Sequence, residues 1–339
     1  MRILLTGVPG WLGNRFLEIL VKGFQGEGAP NGWSLKCLVY QGADDTFIRE
    51  LSKTKKIDCA IGDVTKPATL SGAFSSVDVV FHAAGIIHPA HIRQLYETNV
   101  LGTENVLKEC VKEGVKRFIF LSSNSVAGIG SSSHPVFTEN SRDKPYMHYG
   151  NSKYQAEQKV REHQRGGRLE TVILRPCWYY GPHQPDRQTT FFRMIKKNHP
   201  LMFGDGNNLR SMSYVDNASQ AMILAAENRK AAGQTYWIAD AKPYTANEIY
   251  STVASLLGVR NFRPLRLPGF VSDACAIADS MLQSLGQYLK EIHVAGEMNK
   301  NIACSIEKAQ EELGYVPSIA LEEGMRRSIE WCRARGIDL

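Results

Sequence analysis

The sequence predicts an α/β fold: a Rossmann-type, doubly wound parallel sheet with a smaller C-terminal α+β lobe interleaved with the last strands of the sheet. Three observations carry that prediction. Short, nearly unbroken apolar runs alternate with helical stretches, the pattern of parallel strands covered on both faces. A glycine turn, Thr6-Gly7-Val8-Pro9-Gly10-Trp11-Leu12-Gly13, leaves the first run and opens a helix. Tyr149 and Lys153 then stand four residues apart, one turn from each other on one face of a later helix.

Residues 2–6 form a short apolar strand entering the glycine turn, and the helix beyond carries Phe16, Leu17, Ile19 and Leu20. A Gly/Pro-rich connection at 26–32 leads to strands at 35–40, 57–61 and 77–82. A long helix presents Leu95, Val100, Val106 and Val111, and a strand at 117–121 ends in Ser122-Ser123. The helix of Tyr149 and Lys153 is followed by a strand at 171–174, so 1–175 reads as a dinucleotide-binding domain that also holds catalytic residues. After Arg175-Pro176, short elements alternate with loops such as Gly181-Pro182-His183-Gln184-Pro185 and Gly204-Asp205-Gly206-Asn207-Asn208. Residues 176–339 therefore read mainly as the substrate-binding lobe, its tail at 305–335 forming two amphipathic helices around Gly314-Tyr315-Val316-Pro317. The stretch 267–289 places Asp273, Asp279 and other polar residues among apolar ones at helical intervals, an amphipathic helix and not a membrane span.

Composition narrows the function. A chain of 339 residues can bury a full α/β core and still supply a second lobe. The net charge of +6 is spread out, with no Lys/Arg block interleaved with aromatics, so nucleic acid is not an expected partner. Seven scattered cysteines without a Cys-x-x-Cys pair suggest free thiols in a reducing, cytoplasmic setting and no metal site. The sequence opens directly on a strand, so no signal peptide is expected.

The two motifs define a chemistry. Gly7 allows the tight turn off the strand, Gly10 lets backbone approach a pyrophosphate, and Gly13 lets helix and strand come close. The helix start offers free N–H groups and a positive dipole end to phosphate. A phenol titrates near ~10, and a neighbouring ammonium favours the phenolate. Such a group can take a proton from an alcohol as hydride leaves, or return it to a ketone. The expected cofactor is NAD or NADP.

The chain resembles the extended short-chain dehydrogenases/reductases over essentially its whole length. The resemblance rests on Gly7-x-x-Gly10-x-x-Gly13, Asp63-Val64, His82-Ala83-Ala84-Gly85, Asn99-Val100-x-Gly102-Thr103, Ser122-Ser123, Tyr149-x-x-x-Lys153 and Arg175-Pro176-x-x-x-Tyr180-Gly181-Pro182, in that order. The group includes nucleotide-sugar epimerases and 3β-hydroxysteroid or dihydroflavonol-type dehydrogenases. By this resemblance Tyr149 is the acid/base, Lys153 lowers its pKa and binds the nicotinamide ribose, Ser123 orients the substrate oxygen, and Asn99 supports the site. Gly7, Gly10, Trp11, Leu12, Gly13, Asp63, Val64, Ala83, Ala84, Gly85 and Pro176 join Tyr149 and Lys153 in holding the cofactor. Ser123, Ser125 and Arg210 take the substrate. Plainer roles stand beside these: Asp63 as a strand-end cap, Asn99 as a packing amide, His82 as a core histidine, His148 as a solvent-facing side chain, Arg210 as a cap on a nearby carbonyl.

Dehydratases of this kind place an Asp-Glu pair after the catalytic hydroxyl residue; here Asn124 and Ser125 stand there, so dehydration is disfavoured. The second strand ends Val39-Tyr40-Gln41, neither acidic for a 2′-hydroxyl nor basic for a 2′-phosphate, which leaves NAD and NADP open. Arg210, in Gly204-Asp205-Gly206-x-x-x-Arg210, suits a substrate diphosphate, with Arg263 or Arg266 as a second anchor. The apolar helix at 265–289 favours a hydrophobic pocket instead. The expected function is hydride transfer at a secondary carbinol, of a nucleotide sugar ahead of a free hydrophobic alcohol or ketone, with a non-catalytic NAD(P) sensor the weakest reading. The resemblance also implies a homodimer through the helices of Asn99 and Tyr149.

Overall fold

The computed structural model describes residues 1–24, 28–131 and 134–339. The start of the connection at 26–32 lies outside them. Seven parallel strands make the central sheet: β1 (Arg2–Val8), β2 (Ser34–Val39), β3 (Ile57–Ile61), β4 (Val79–His82), β5 (Arg117–Leu121), β6 (Glu170–Pro176) and β7 (Thr235–Ile238). Their spatial order is β7-β6-β5-β4-β1-β2-β3. All residues of β4 and β5 are buried, which is why these strands read as unbroken apolar runs. β7 comes from the C-terminal half of the chain and lies beside β6, pairing Thr235 with Ile173.

Helices cover both faces. On one side α1 (Trp11–Lys22) packs with the helix Val215–Glu227, burying Phe16, Leu20, Ala221 and Ala225 against Leu5, Phe81 and Ile119. On the other, the helix Thr103–Lys112 and the helix Met147–Arg165 bury Val106, Leu107, Ala156 and Val160 against Leu4, Val80 and Phe118. A third core, in the C-terminal half, gathers Tyr180, Phe192, Tyr214, Tyr250, Met325 and Ile329. The helix Leu321–Ala334 approaches it so closely at Gly324 that a methyl there would lie 2.5 Å from the Tyr180 ring.

Two expectations need correction. The long helix before β5 is not uniformly α: Tyr96–Gly102 is π-helical and holds Asn99. Such bulges turn a side chain out of the regular ladder and are frequent at functional sites. The stretch 267–289 is not one helix lining an apolar pocket. A helix over Gly269–Ser284 turns Ser272, Asp279 and Gln283 inward and leaves Phe270, Ile277, Met281 and Leu285 exposed, and a second helix, Lys290–Glu297, packs on its inner side. Periodicity reported an apolar face but not which way it points. The Asn99 and Tyr149 helices pack on the sheet through Val106, Leu107, Ala156 and Val160. The outer face of Met147–Arg165 shows Asn151, Gln155, Glu162 and Arg165, and Leu101 is the large exposed apolar side chain beside it.

Candidate active site

The reversal of strand order between β1 and β4 opens a crevice at their carboxyl ends, the place where doubly wound sheets bind ligands. Thr6 and His82 lie side by side there, Thr6 Oγ1 2.8 Å from His82 Nδ1, and the Ala84 amide donates to Thr6 Oγ1 at 3.2 Å. His82 Nε2 contacts Thr103 Oγ1 at 3.1 Å, and burial followed by the Lys153 charge lowers its pKa to about 3. It is a neutral core histidine that staples the strand ends.

The glycine turn has no room for side chains. Gly7 has φ +86°, and a Cβ on it would meet the Ala83 carbonyl carbon at 2.6 Å; one on Gly13 would lie 2.2 Å from the Gly7 oxygen. The first turn of α1 has neither a side-chain cap nor an acidic residue, so its N–H groups are unclaimed by side chains and their dipole end unneutralised. The Ala83–Ala84 peptide lies against Gly7, and Gly85 faces Asn99 and Lys153. These features fit the pyrophosphate of a dinucleotide. Leu12 is a core side chain, so only its backbone can serve a cofactor. Trp11 Nε1 donates to the Pro182 carbonyl at 2.7 Å, tying the turn to the loop after β6. Asp63 acts as a local cap, accepting from the Thr65 amide and hydroxyl at 2.9 and 2.8 Å, and Val64 packs on Gly102. Pro176 ends β6, in register with Ile238.

The catalytic candidates meet beside β5. Ser123 and Ser125 follow the strand, their hydroxyls 3.3 Å apart, and the Ser125 carbonyl accepts from the Tyr146 amide at the start of the Tyr149 helix. Asn99 Oδ1 accepts from the Ile86 amide at 2.9 Å, while its Nδ2 donates to the Ile86 carbonyl and to Ser152 Oγ at 3.0 and 2.9 Å. It thereby joins the Gly85 loop to the Tyr149 helix.

Lys153 is held by the end of β5. Lys153 Nζ donates to the Leu121 carbonyl at 2.7 Å and lies 4.2 Å from the centre of the Phe120 ring. Burial brings its pKa down to about 7, against the opposing charge of Glu157. The Tyr149 phenol is raised, chiefly by burial; a hydrogen bond from Ser123 and the charge of Arg187 pull it down, and Glu297 adds to the rise. The influences that favour the phenolate here are Ser123 and Arg187.

On the substrate side Arg210 is buried, its guanidinium 4.2 Å from the Trp178 ring centre. Nη2 donates to the Glu297 carbonyl, as the plainer reading expects, but Nε and Nη1 have no partner among the described residues. Arg266 is spent elsewhere, on the Asp205 carbonyl and Asn247. His148 does not face solvent freely; its Nδ1 is 2.7 Å from Tyr96 Oη. Arg187, Glu297 and Trp178 were not singled out from the sequence, and only Arg187 carried a signal, as a cation just beyond the Gly181–Pro185 loop.

A glycine cradle at the switch point of this sheet, with serine, tyrosine and lysine brought together on the adjoining strand end and helix, defines an extended short-chain dehydrogenase/reductase, an enzyme of the NAD(P)-dependent oxidoreductase and epimerase type. Within that class the chain belongs to the 3-beta hydroxysteroid dehydrogenase/isomerase family, whose model matches residues 4–269. It is 42% identical over 345 residues to the uncharacterized protein y4nL of Sinorhizobium fredii, covering 98% of this chain and 96% of that one. It is 26% identical over 337 residues to UDP-glucose 4-epimerase of Vibrio cholerae, covering 97% and 94%. Among solved structures, UDP-glucuronic acid 4-epimerase from Bacillus cereus in complex with NAD shares the fold, with a TM-score of 0.77 at 21% identity and 100% coverage of both chains. No helix of the described residues is long and apolar enough to cross a membrane.

Proposed function

We propose that this protein oxidises or reduces a secondary carbinol of a nucleotide sugar, as an epimerase or a net dehydrogenase/reductase. The observation that carries this reading is Arg210: a buried guanidinium with two unpartnered N–H groups at the substrate side of the cleft. An unsatisfied buried donor costs about 1–3 kcal/mol, more for a charged group, and a diphosphate oxygen removes that cost through charge-assisted bonds. The relation to a UDP-glucose 4-epimerase points the same way.

NAD or NADP, when bound, would supply the hydride chemistry. Gly7, Gly10, Gly13 and the backbone of Trp11 and Leu12 would hold its phosphates, with Ala83, Ala84 and Gly85 also holding the cofactor. Ser123 orients the substrate oxygen and favours the Tyr149 phenolate. Tyr149 holds the proton at its hydroxyl and exchanges it with the carbinol oxygen. Asn99 keeps the Tyr149 helix fixed against the Gly85 loop. Dehydration is disfavoured, because Asn124 and Ser125 supply no carboxylic proton.

The family match supports a second reading, a free hydroxysteroid-like alcohol or ketone as substrate. Thermal-shift titration with NAD, NADP, UDP and UDP-sugars separates the two, since a ligand of the folded state raises its stability. A UDP shift that vanishes in Arg210→Ala supports the nucleotide-sugar reading. A dinucleotide shift without response to UDP moves the assignment to the hydrophobic alcohol.

A further inference from the structure

Beneath the outward-facing apolar stripe of the helix Gly269–Ser284 lies a buried polar cluster that the reaction scheme above does not use. Asp279 Oδ2 is 2.7 Å from His293 Nδ1 and accepts from Gln283 Nε2 at 2.8 Å. The Gln283 carbonyl oxygen in turn accepts from the His148 amide, at the start of the Tyr149 helix. On the far side of the imidazole, His293 Nε2 is 3.8 Å from Glu297 Oε1. The side chains of Asp279, His293 and Glu297 are 0%, 8% and 13% exposed, so three ionisable groups have been taken largely out of water. Such an arrangement costs desolvation energy and calls for a partner.

Asp279 Oδ2 and His293 Nδ1 have each other, while Asp279 Oδ1 is buried without a partner among the described residues. The Glu297 carboxyl lacks one too: beyond the long contact to His293 it makes no hydrogen bond among those of the described residues. Its position is informative. Its own backbone carbonyl receives Arg210 Nη2, which fixes it beside the guanidinium. Its charge is felt by Tyr149 and Tyr146, and the Tyr146 ring packs 5.8 Å from the His293 ring. Burial raises Glu297, with His293 and Arg210 opposing and Asp279 reinforcing the rise. Glu297 is thus held beside Arg210 by its backbone carbonyl, in a cluster that packs through His293 and Gln283 on Tyr146 and His148, the residues flanking the start of the Tyr149 helix.

We infer that Glu297 is a specificity-determining residue whose carboxyl, braced by His293 and Asp279, hydrogen-bonds a ring hydroxyl of the sugar between its phosphate and its reacting carbinol. The inference rests on the nucleotide-sugar reading. A hexose joined to phosphate at one end and oxidised at the other presents ring hydroxyls to a group held beside Arg210 whose charge is felt by Tyr149. A buried polar group built to meet a hydroxyl rejects ligands that lack one, because it is then left unpaired. The cleft so arranged selects a polyhydroxylated ring over a hydrocarbon one.

The test is titration calorimetry on the NAD-loaded protein with UDP and with UDP-glucose, for wild type, Glu297→Gln and Glu297→Ala. The quantity read is the affinity that the glucose adds to UDP. The expected result is unchanged UDP binding in all three, with the glucose increment reduced roughly tenfold to hundredfold in Glu297→Ala and less in Glu297→Gln. Turnover of UDP-glucose should then show a raised KM with little change in kcat. UDP binding with an equal glucose increment in all three proteins overturns this inference alone. Weakened UDP binding in both variants overturns it too, since Glu297 would then only be shaping the cleft. Failure of UDP to bind wild type overturns the nucleotide-sugar reading and this inference with it.

Discussion

The Lys153 ammonium donates to the Leu121 carbonyl at 2.7 Å, so the lysine of the Tyr-x-x-x-Lys pair is anchored to the end of β5. Burial holds its pKa at about 7, far below the ordinary lysine value near ~10.4. Between those two values the unfolded chain binds a proton that the folded chain does not. Stability therefore rises with pH across that window and falls as pH drops toward 7. Urea unfolding of wild type and Lys153→Met, from neutral pH to about pH 10, should show a rise in wild type that is missing in the variant. Parallel curves for the two proteins would contradict the burial of this charge.

Tyr149 carries the proposed proton transfer. Because burial raises the phenol, it is protonated at neutral pH and ready as an acid for reduction, while oxidation needs the phenolate. The oxidative rate should thus climb with pH on the alkaline side. Tyr149→Phe should lower kcat by about 10²–10⁴ while dinucleotide affinity stays within a few fold. Steady-state kinetics with fluorescence titration of NADH reads both, and undiminished turnover in the variant would end the mechanism.

Gly13→Ala tests the cradle. The new methyl would lie 2.2 Å from the Gly7 oxygen and 2.9 Å from its carbonyl carbon, both backbone atoms that cannot rotate away. The turn must open, at a cost on the order of 1–3 kcal/mol of stability and of the spacing that receives phosphate. Thermal melts with and without NAD should show a lower Tm and a smaller NAD-induced shift. Gly10→Ala, whose methyl would meet the Gly7 oxygen at 2.6 Å, should behave alike.

Much of the architecture is local and was therefore legible. The strand at 117–121 matches Arg117–Leu121, because a fully covered parallel strand is a bounded apolar run; Ile57–Ile61 matches as well, although as the edge strand it buries little beyond Ile57. The glycine turn was legible because each glycine answers a backbone constraint inside one βα unit. What was not legible depends on orientation and on distant partners. Thr235–Ile238 is only four residues, too short to mark as a sheet strand until β6 is beside it. The helix Gly269–Ser284 has the expected amphipathic period, but its polar side faces in, because Asp279 and Gln283 meet His293 and the His148 amide there. No spacing rule joins Glu297 to Arg210, which is 87 positions away. The partner of Lys153 is a main-chain carbonyl, and a carbonyl leaves no mark on composition.

Arg15 and Asp216 test how the two halves of the chain hold the cradle. Arg15 lies on α1, just past the glycine turn, and its Nε and Nη2 donate to the two carboxylate oxygens of Asp216, on the helix Val215–Glu227, at 2.5 and 2.8 Å. Asp216 is 1% exposed and Arg15 21%, so removal of one partner strands a partly buried charge. Arg15 retains Glu18, which moderates the loss. Asp216→Ala should cost about 2–4 kcal/mol, below the 3–5 typical of a fully buried pair. Arg15→Met with Asp216→Leu should recover most of it, because two apolar groups there need no solvation. Urea unfolding of Arg15→Met, Asp216→Leu and the double gives the coupling energy. Additive losses would show that the two residues stabilise the protein independently, and would remove this pair from the account of how α1 is positioned.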